Sequence, residues 1–225
     1  MSNISNLKKI IKRIIGRDGY SKLLNTFIGK WIHKKLHNNS NSSRDFLLRK
    51  MPKKSVCAEI GVHIGDFSER ILEITQPKVF HLIDPWKLEE NNVYDKSYYG
   101  TKTVENQKVM DERYFNVKKR FEKEIESDKI IINRGYSNEI LNKFDDGCLD
   151  WVYIDGNHLY EFVKKDLEMC FLKIKNNGYI CGDDYNEGGW WDGGVKKAVD
   201  EFILNKKNIK LIEIKANQFI IQKFS

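Results

Sequence analysis

No apolar run in this 225-residue chain approaches the roughly 20 residues that a membrane-spanning helix needs. The N-terminal stretch also has no uninterrupted apolar core ending in a small-residue cleavage site, so secretion by that route is not expected. Cysteine is scarce. Cys57, Cys148, Cys170 and Cys181 show no Cys-x-x-Cys spacing, and three of them fall in apolar stretches where a thiol behaves as a small hydrophobe. A reducing, cytoplasmic setting is the expectation. The Gly-x-Gly-x-x-Gly of nicotinamide enzymes is missing as well, because the nearest stretch, Glu59-Ile-Gly-Val-His-Ile-Gly65, has His63 where a glycine would stand.

Acidic residues are few at one end only. Residues 1–54 hold 14 Lys/Arg against Asp18 and Asp45, whereas the remainder holds 25 basic and 30 acidic residues. The overall charge of +7 therefore belongs to the N-terminal extension, and the rest of the chain is mildly acidic. A nucleic-acid enzyme should carry its basic face on the working domain, so that partner is not expected.

Leu7, Ile10, Ile11, Ile14 and Ile15, then Tyr20, Leu23, Leu24, Phe27, Ile28, Trp31, Ile32 and Leu36, recur at helical spacing. Lys8, Lys9, Lys12, Arg13, Lys22, Lys30 and Lys34 occupy the opposite faces. Two amphipathic helices of this kind dock on the domain, build a homo-oligomer, or lie peripherally on an anionic lipid surface at the inner membrane face. The pattern does not choose among these. A polar linker, Asn38 to Ser43, ends the extension, so residues 1–43 are expected to form it and residues 44–225 the main domain.

Beyond the linker the pattern alternates. Strands are expected at Val56 to Val62, Val79 to Ile83, Ile130 to Ile132, Trp151 to Ile154 and Tyr179 to Cys181. Helices are expected at Asp66 to Ile74, Val109 to Ile125, near Glu139, Tyr160 to Lys175 and Val195 to Leu204. Two last strands, Lys210 to Lys215 and Phe219 to Lys223, joined by Ala216 to Gln218, read as an antiparallel hairpin. Such alternation implies an α/β fold with a parallel sheet covered by helices on both sides. The excursion from Trp86 to Lys129, with Tyr94, Tyr98, Tyr99 and Gly100, is longer than a crossover needs and reads as a lid or binding loop.

Strand tips carry the chemistry. Asp155 follows one strand and Asp183 and Asp184 another, so three carboxylates gather at the carboxyl edge, where α/β sheets bind ligands. Clustered acids repel unless a cation lies between them, and their hard oxygens suit Mg²⁺, Ca²⁺ or Mn²⁺. Gly61 and Gly65 allow close backbone approach at a helix start, and Asp84, 25 positions after Glu59, stands where an acid can bind a ribose diol or cap a turn before Pro85. Asp166, beside Lys164 and Lys165, reads as part of a polar helix face. Trp190 and Trp191 either stack on a sugar ring, with Asp192 at its hydroxyls, or pack the loop onto the domain.

Taken together, Glu59-x-Gly-x-x-x-Gly65, Asp84-Pro-Trp86, Tyr153-Ile-Asp-Gly-x-His158 and Gly182-Asp-Asp-Tyr185 resemble the class I S-adenosylmethionine-dependent methyltransferases. More narrowly, they are similar to the metal-dependent sugar O-methyltransferases of the macrocin and mycinamicin type, with cephalosporin-hydroxylase-type proteins as neighbours. The resemblance covers about residues 50–225 and is most specific from Asp155 to Tyr185. It implies a Rossmann-like seven-stranded sheet, mostly parallel, with S-adenosylmethionine over its first strands. It places Glu59, Gly61, His63 and Gly65 at the methionine moiety, Asp84 at the ribose, the Gly135 to Ser137 turn at the adenine, and Asp155 beside the cofactor. The metal, Mg²⁺ or another divalent cation, falls to Asp155, Asp183 and Asp184, and the base to His158.

The expected activity is O-methylation of a sugar or glycoconjugate hydroxyl, on a small-molecule or lipid-linked glycan. A catechol-like or other secondary-metabolite hydroxyl is the alternative, since adjacent phenol oxygens suit the same metal. Amino-methylating nucleic-acid enzymes commonly carry an Asn/Asp-Pro-Pro-Tyr tetrapeptide where this chain has Ile154-Asp-Gly-Asn157. A non-catalytic binding protein is disfavoured by the intact Asp155, His158, Asp183 and Asp184.

Overall fold

The computed structural model describes residues 44–89, 91–97, 99 and 106–225. The expected N-terminal helices, the linker, Tyr98 and Gly100 lie outside the described residues. The chain divides into two compact units, Met1–Phe46 and Leu47–Ser225, and the second carries the sheet.

Seven strands form that sheet: β1 (Val56–Ile60), β2 (Val79–Asp84), β3 (Ile130–Arg134), β4 (Leu149–Ile154), β5 (Ile174–Gly182), β6 (Ile209–Lys215) and β7 (Gln218–Lys223). Their order is β3-β2-β1-β4-β5-β7-β6. The first five run parallel, and β7 lies antiparallel between β5 and β6. The order steps outward from β1 to β3 and then reverses to β4, which opens a crevice at the β1/β4 tips. Crevices at such a reversal are where open α/β sheets bind ligands.

Side chains alternate across the sheet, so each strand feeds two cores. Ala58 and Ile60 of β1, Val152 and Ile154 of β4 and Ile180 of β5 join Leu141, Val163, Leu167, Val195 and Val199 on one face. Those partners come from helices α4 (Ser137–Leu141), α5 (Tyr160–Lys173) and α6 (Gly194–Asn205). On the other face the Tyr153 ring meets Phe67 of α1 (Asp66–Thr75) at a centroid distance of 4.4 Å. Burial on both faces is why the central strands read as nearly unbroken apolar runs.

Three expected boundaries shift for local reasons. The Val109 to Ile125 helix is two, α2 (Gln107–Arg120) and α3 (Glu122–Glu126), because Phe121 leaves helical geometry to bury its ring. Helix α5 ends at Lys173, and β5 begins at once, five residues earlier than the sequence pattern suggests, with a register shift opposite Leu149/Trp151 and Asn177 at φ 65°. The hairpin loop is only Ala216-Asn217, and Gln218 already belongs to β7 and is buried.

Ala216 and Asn217 take φ of 51° and 62°. Both central residues of a two-residue hairpin turn adopt this left-handed conformation, which asparagine tolerates and alanine does not. Replacement Ala216→Gly is therefore expected to stabilise the fold by about 0.5–1 kcal/mol, read as a higher urea midpoint; a lower midpoint would contradict the turn geometry.

Candidate active site

Parallel register aligns Ile60, Ile154 and Gly182 across β1, β4 and β5, so Gly61, Asp155 and Asp183 emerge side by side. Gly61 sits at φ 91°, and a Cβ there would fall 2.0 Å from the Asp155 carbonyl oxygen. The Asp155 N–H donates to Ile60 O at 2.8 Å and the Gly61 N–H to Ile83 O at 2.9 Å. This glycine thus lets two strand tips touch. Gly65, at φ 81°, begins α1, with Phe121 pressed where its side chain would be.

Glu59 points to the opposite face from Ile60, is buried, and accepts the Ser68 hydroxyl of α1. Asp84, also buried, accepts from the Val62 and His63 N–H groups at 2.9 Å each, from Trp86 N–H at 2.7 Å, and from the Tyr99 hydroxyl. Burial pushes its carboxyl up, against the pull of these donors. Sequence gave Asp84 to a ribose diol or a turn cap; in the structure its carboxylate locks the β1–α1 loop to the start of the excursion. His63 takes φ 55°, and its Nε2 is buried without a hydrogen-bond partner. Burial, reinforced by the nearby Arg113, lowers its pKa to about 4, so the ring is neutral at physiological pH.

The excursion is anchored beside this loop. Arg120 of α2 donates to Asp66 at 2.6 Å, Glu69 at 2.7 Å and Ile64 O at 3.0 Å. Gln107 Nε2 donates to Trp86 O at 2.9 Å, and Arg134 reaches the same carbonyl at 3.0 Å while pairing with Asp111.

At the β4 and β5 tips His158 Nε2 stands 3.3 Å from Asp155 Oδ1 and 3.0 Å from Asp184 Oδ2. One ligand atom from each of these residues lies within 4.8 Å of the others. Burial would lower the His158 pKa, but hydrogen bonds and charge from Asp155 and Asp184 outweigh it and raise it to about 9. The imidazolium thus balances two carboxylates that would otherwise repel.

Asp183 departs from the expected triad. Its Oδ1 accepts from Asp184 N–H at 2.8 Å and from Gln218 Nε2, and Gln218 Oε1 takes the Tyr153 hydroxyl at 2.7 Å. The grouped donors are Asp155, His158 and Asp184, with Asp183 outside them. Asp184 reaches the group through a left-handed backbone, φ 58°.

Asp166 differs from expectation, and Ser137 shares in the difference only as its hydrogen-bond donor. Asp166 is buried on α5 instead of facing solvent, and the Ser137 hydroxyl donates to its Oδ1. Burial, only partly offset by Ser137, lifts the Asp166 pKa to about 7. The pattern held the clue, because Asp166 follows Val163 by three positions on the stripe that continues through Leu167 and Cys170. Other contacts had no sequence signal, among them Tyr99 on Asp84, Gln218 on Asp183, and Asn157 Nδ2 donating to the Tyr94 hydroxyl at 2.7 Å.

Residues 58–185 match the family model described as "Methyltransferase domain". The chain belongs to that family. A search of curated proteins finds no match. Among solved structures, an O-methyltransferase from Bacillus cereus in complex with SAH is 13% identical, with a TM-score of 0.53 over 80% of this chain and 78% of that one. The O-methyltransferase NovP is 20% identical, with a TM-score of 0.51 over 85% and 80%. A putative rRNA-methylase from Clostridium thermocellum is 12% identical, with a TM-score of 0.57 over 82% and 95%. Likeness at this identity reports the methyltransferase fold and leaves the acceptor to the site.

The Asp166 shift gives a sign that can be checked. A carboxyl whose pKa rises on folding contributes most below its unfolded value near 4, and that contribution is lost as pH climbs through about 7. Asp166→Asn, which keeps an acceptor for Ser137, should match the parent near pH 4 and exceed it by up to about 4 kcal/mol at pH 8. Paired urea melts at the two pH values read this directly, and equal differences at both would refute a buried, raised carboxyl.

Proposed function

We propose that this chain is an S-adenosylmethionine-dependent, divalent-metal-dependent O-methyltransferase acting on a sugar or glycoconjugate hydroxyl. The observation that carries it is the Asp155, His158 and Asp184 group at the carboxyl edge of the methyltransferase sheet. S-adenosylmethionine follows from the family, with support from the SAH bound to the Bacillus cereus neighbour. Gly61 and Gly65 bring the backbone of the β1–α1 loop to the crevice, with neutral His63 between them.

The donor set fits a divalent cation. Two carboxylates and an imidazole converge, and an attracting charge is already needed there, supplied by the His158 proton. Asp155 and Asp184 would hold the ion. When bound it would orient a substrate hydroxyl and lower its pKa. Asp183 serves by position, fixing the Asp184 backbone through its Oδ1.

The remaining roles fall to the protein. A cation held by Asp155 and Asp184 would take over the charge balance that the imidazolium supplies, and His158 Nε2 would then serve as the acceptor for the substrate hydroxyl's proton. Trp191, its ring centroid 4.9 Å from that of His158, limits water around the imidazole. The basic extension, residues 1–43, is assigned to bringing the domain to a partner subunit or to lipid-linked substrate at a membrane surface. No described helix is long and apolar enough to cross a membrane.

Transfer of labelled methyl from S-adenosylmethionine into fractionated host extract, with and without chelator, tests the proposal. Label should enter a glycan or glycolipid fraction, vanish with chelator and return with Mg²⁺. His158→Ala should lower transfer on the order of 10² to 10⁴ while SAH still binds. Chelator-resistant labelling of small aromatics or nucleic acid would refute both the metal and the sugar, and unchanged transfer by Asp155→Ala would refute the site.

A further inference from the structure

The loop between β5 and α6 carries adjacent tryptophans in different surroundings. Trp191 packs against the hydrophobic core, and a Cβ on Gly189 would come within 2.4 Å of its indole. It is held from two sides. Trp190 stands perpendicular to it, with ring centroids 5.8 Å apart, and is edge-on to His158 at 5.9 Å and to Tyr94 at 5.5 Å. Both indoles are half-buried, and Trp190, which is not packed on the core as Trp191 is, lies beside the proposed base.

Tyr94 explains why that ring stays put. It is 7% exposed, within the 3₁₀ turn Asn92–Lys96 of the excursion. Its hydroxyl accepts from Asn157 Nδ2 at 2.7 Å, and Asn157 Oδ1 accepts the Leu159 N–H at 3.1 Å. The excursion is thus tied to the turn that carries Asp155 and His158, and its aromatic ring supports Trp190. Asp155 and Asp184 are already balanced at the site by His158, and exposed Asp192 beyond them adds a negative charge that disfavours an anionic acceptor.

We infer that Trp190 is the stacking platform for the acceptor, an uncharged pyranoside lying C–H face against the indole. Tyr94 is the positioning residue that holds the platform in place. This rests on the sugar reading proposed above. It assigns the two tryptophans separate tasks, Trp191 covering His158 and Trp190 meeting substrate.

Saturation-transfer NMR on the full chain with SAH and Mg²⁺, using methyl α-D-mannopyranoside and catechol as probes, tests it, with SAH affinity by calorimetry as the control for folding. The pyranoside ring protons should saturate. Trp190→Ala should weaken that binding about five- to tenfold with SAH affinity unchanged, and Trp190→Phe should restore part of it. Tyr94→Phe keeps the ring and loses only the Asn157 bond, so a smaller loss, roughly threefold, should appear for pyranoside alone. Equal loss of SAH affinity would mark Tyr94 as merely structural and overturn its role. Undiminished pyranoside binding by Trp190→Ala overturns the platform. If the parent binds catechol and not pyranoside, and Trp190→Ala weakens catechol, the sugar reading falls while the platform stands.

Discussion

The contact between Gly61 and the Asp155 backbone is the constraint on which the site depends. Parallel pairing of β1 with β4 ends at Ile60 and Ile154, and the next residues lead into two separate loops. They do so while still touching, since a side chain at position 61 would overlap the Asp155 carbonyl. Only a residue without Cβ, at φ 91°, allows both the β1–α1 loop and the β4–α5 turn to leave from one point. Gly156 adds to this closeness, because its own Cβ would sit 3.2 Å from Ile60. His63, Asp155 and His158 all hang from these two turns, and Asp184 joins them from the tip of β5.

Charge is the second constraint. Glu59, Asp84 and Asp166 are all buried, and an isolated buried carboxylate is costly. Each meets a different solution. Glu59 accepts the Ser68 hydroxyl, Asp84 gathers four donors, and Asp166, with Ser137 on one oxygen, is driven toward its neutral form. Asp155 and Asp184 are less buried and are balanced by an exchangeable proton on His158. Glu59 and Asp84 are therefore satisfied by fixed donors and Asp166 by its own protonation, whereas the acids at the crevice rely on a separate partner that can leave. That difference is what makes the crevice acids candidates for metal binding and the others candidates for scaffolding.

Most of the sheet was legible because buried parallel strands announce themselves as apolar runs and their tips as glycine and acid. Asp155, His158 and Asp184 were legible for the same reason, each lying just past a readable strand. Asp183 was placed among the ligands because adjacent acids look equivalent in sequence. They differ once the Asp184 backbone turns left-handed and Gln218, 35 residues on, claims the Asp183 Oδ1. Asp84 does cap the turn across Pro85 through the Trp86 N–H, but its bond to Tyr99, in a segment with no periodicity, had no sequence signal. Asp166 was misplaced by its lysine neighbours, although its helical phase with Val163 and Cys170 pointed inward. Long-range pairs between side chains leave no spacing to read.

The excursion between β2 and β3 joins these strands of argument. Had it been a plain crossover, the acids of β4 and β5 would meet solvent on the side where Tyr94 and Trp190 now stand. Arg120 fastens the far end of α2 to the start of α1, while Gln107 and Arg134 meet at the Trp86 carbonyl near the other end. Tyr94 then bonds Asn157 in the turn that carries Asp155 and His158. The excursion is anchored both at the β1–α1 loop and at the turn that carries Asp155 and His158. The proposed acceptor wall thus draws Tyr94 from a segment already legible as a binding loop and Trp190 from the β5–α6 loop, while the proposed chemistry rests on the strand tips.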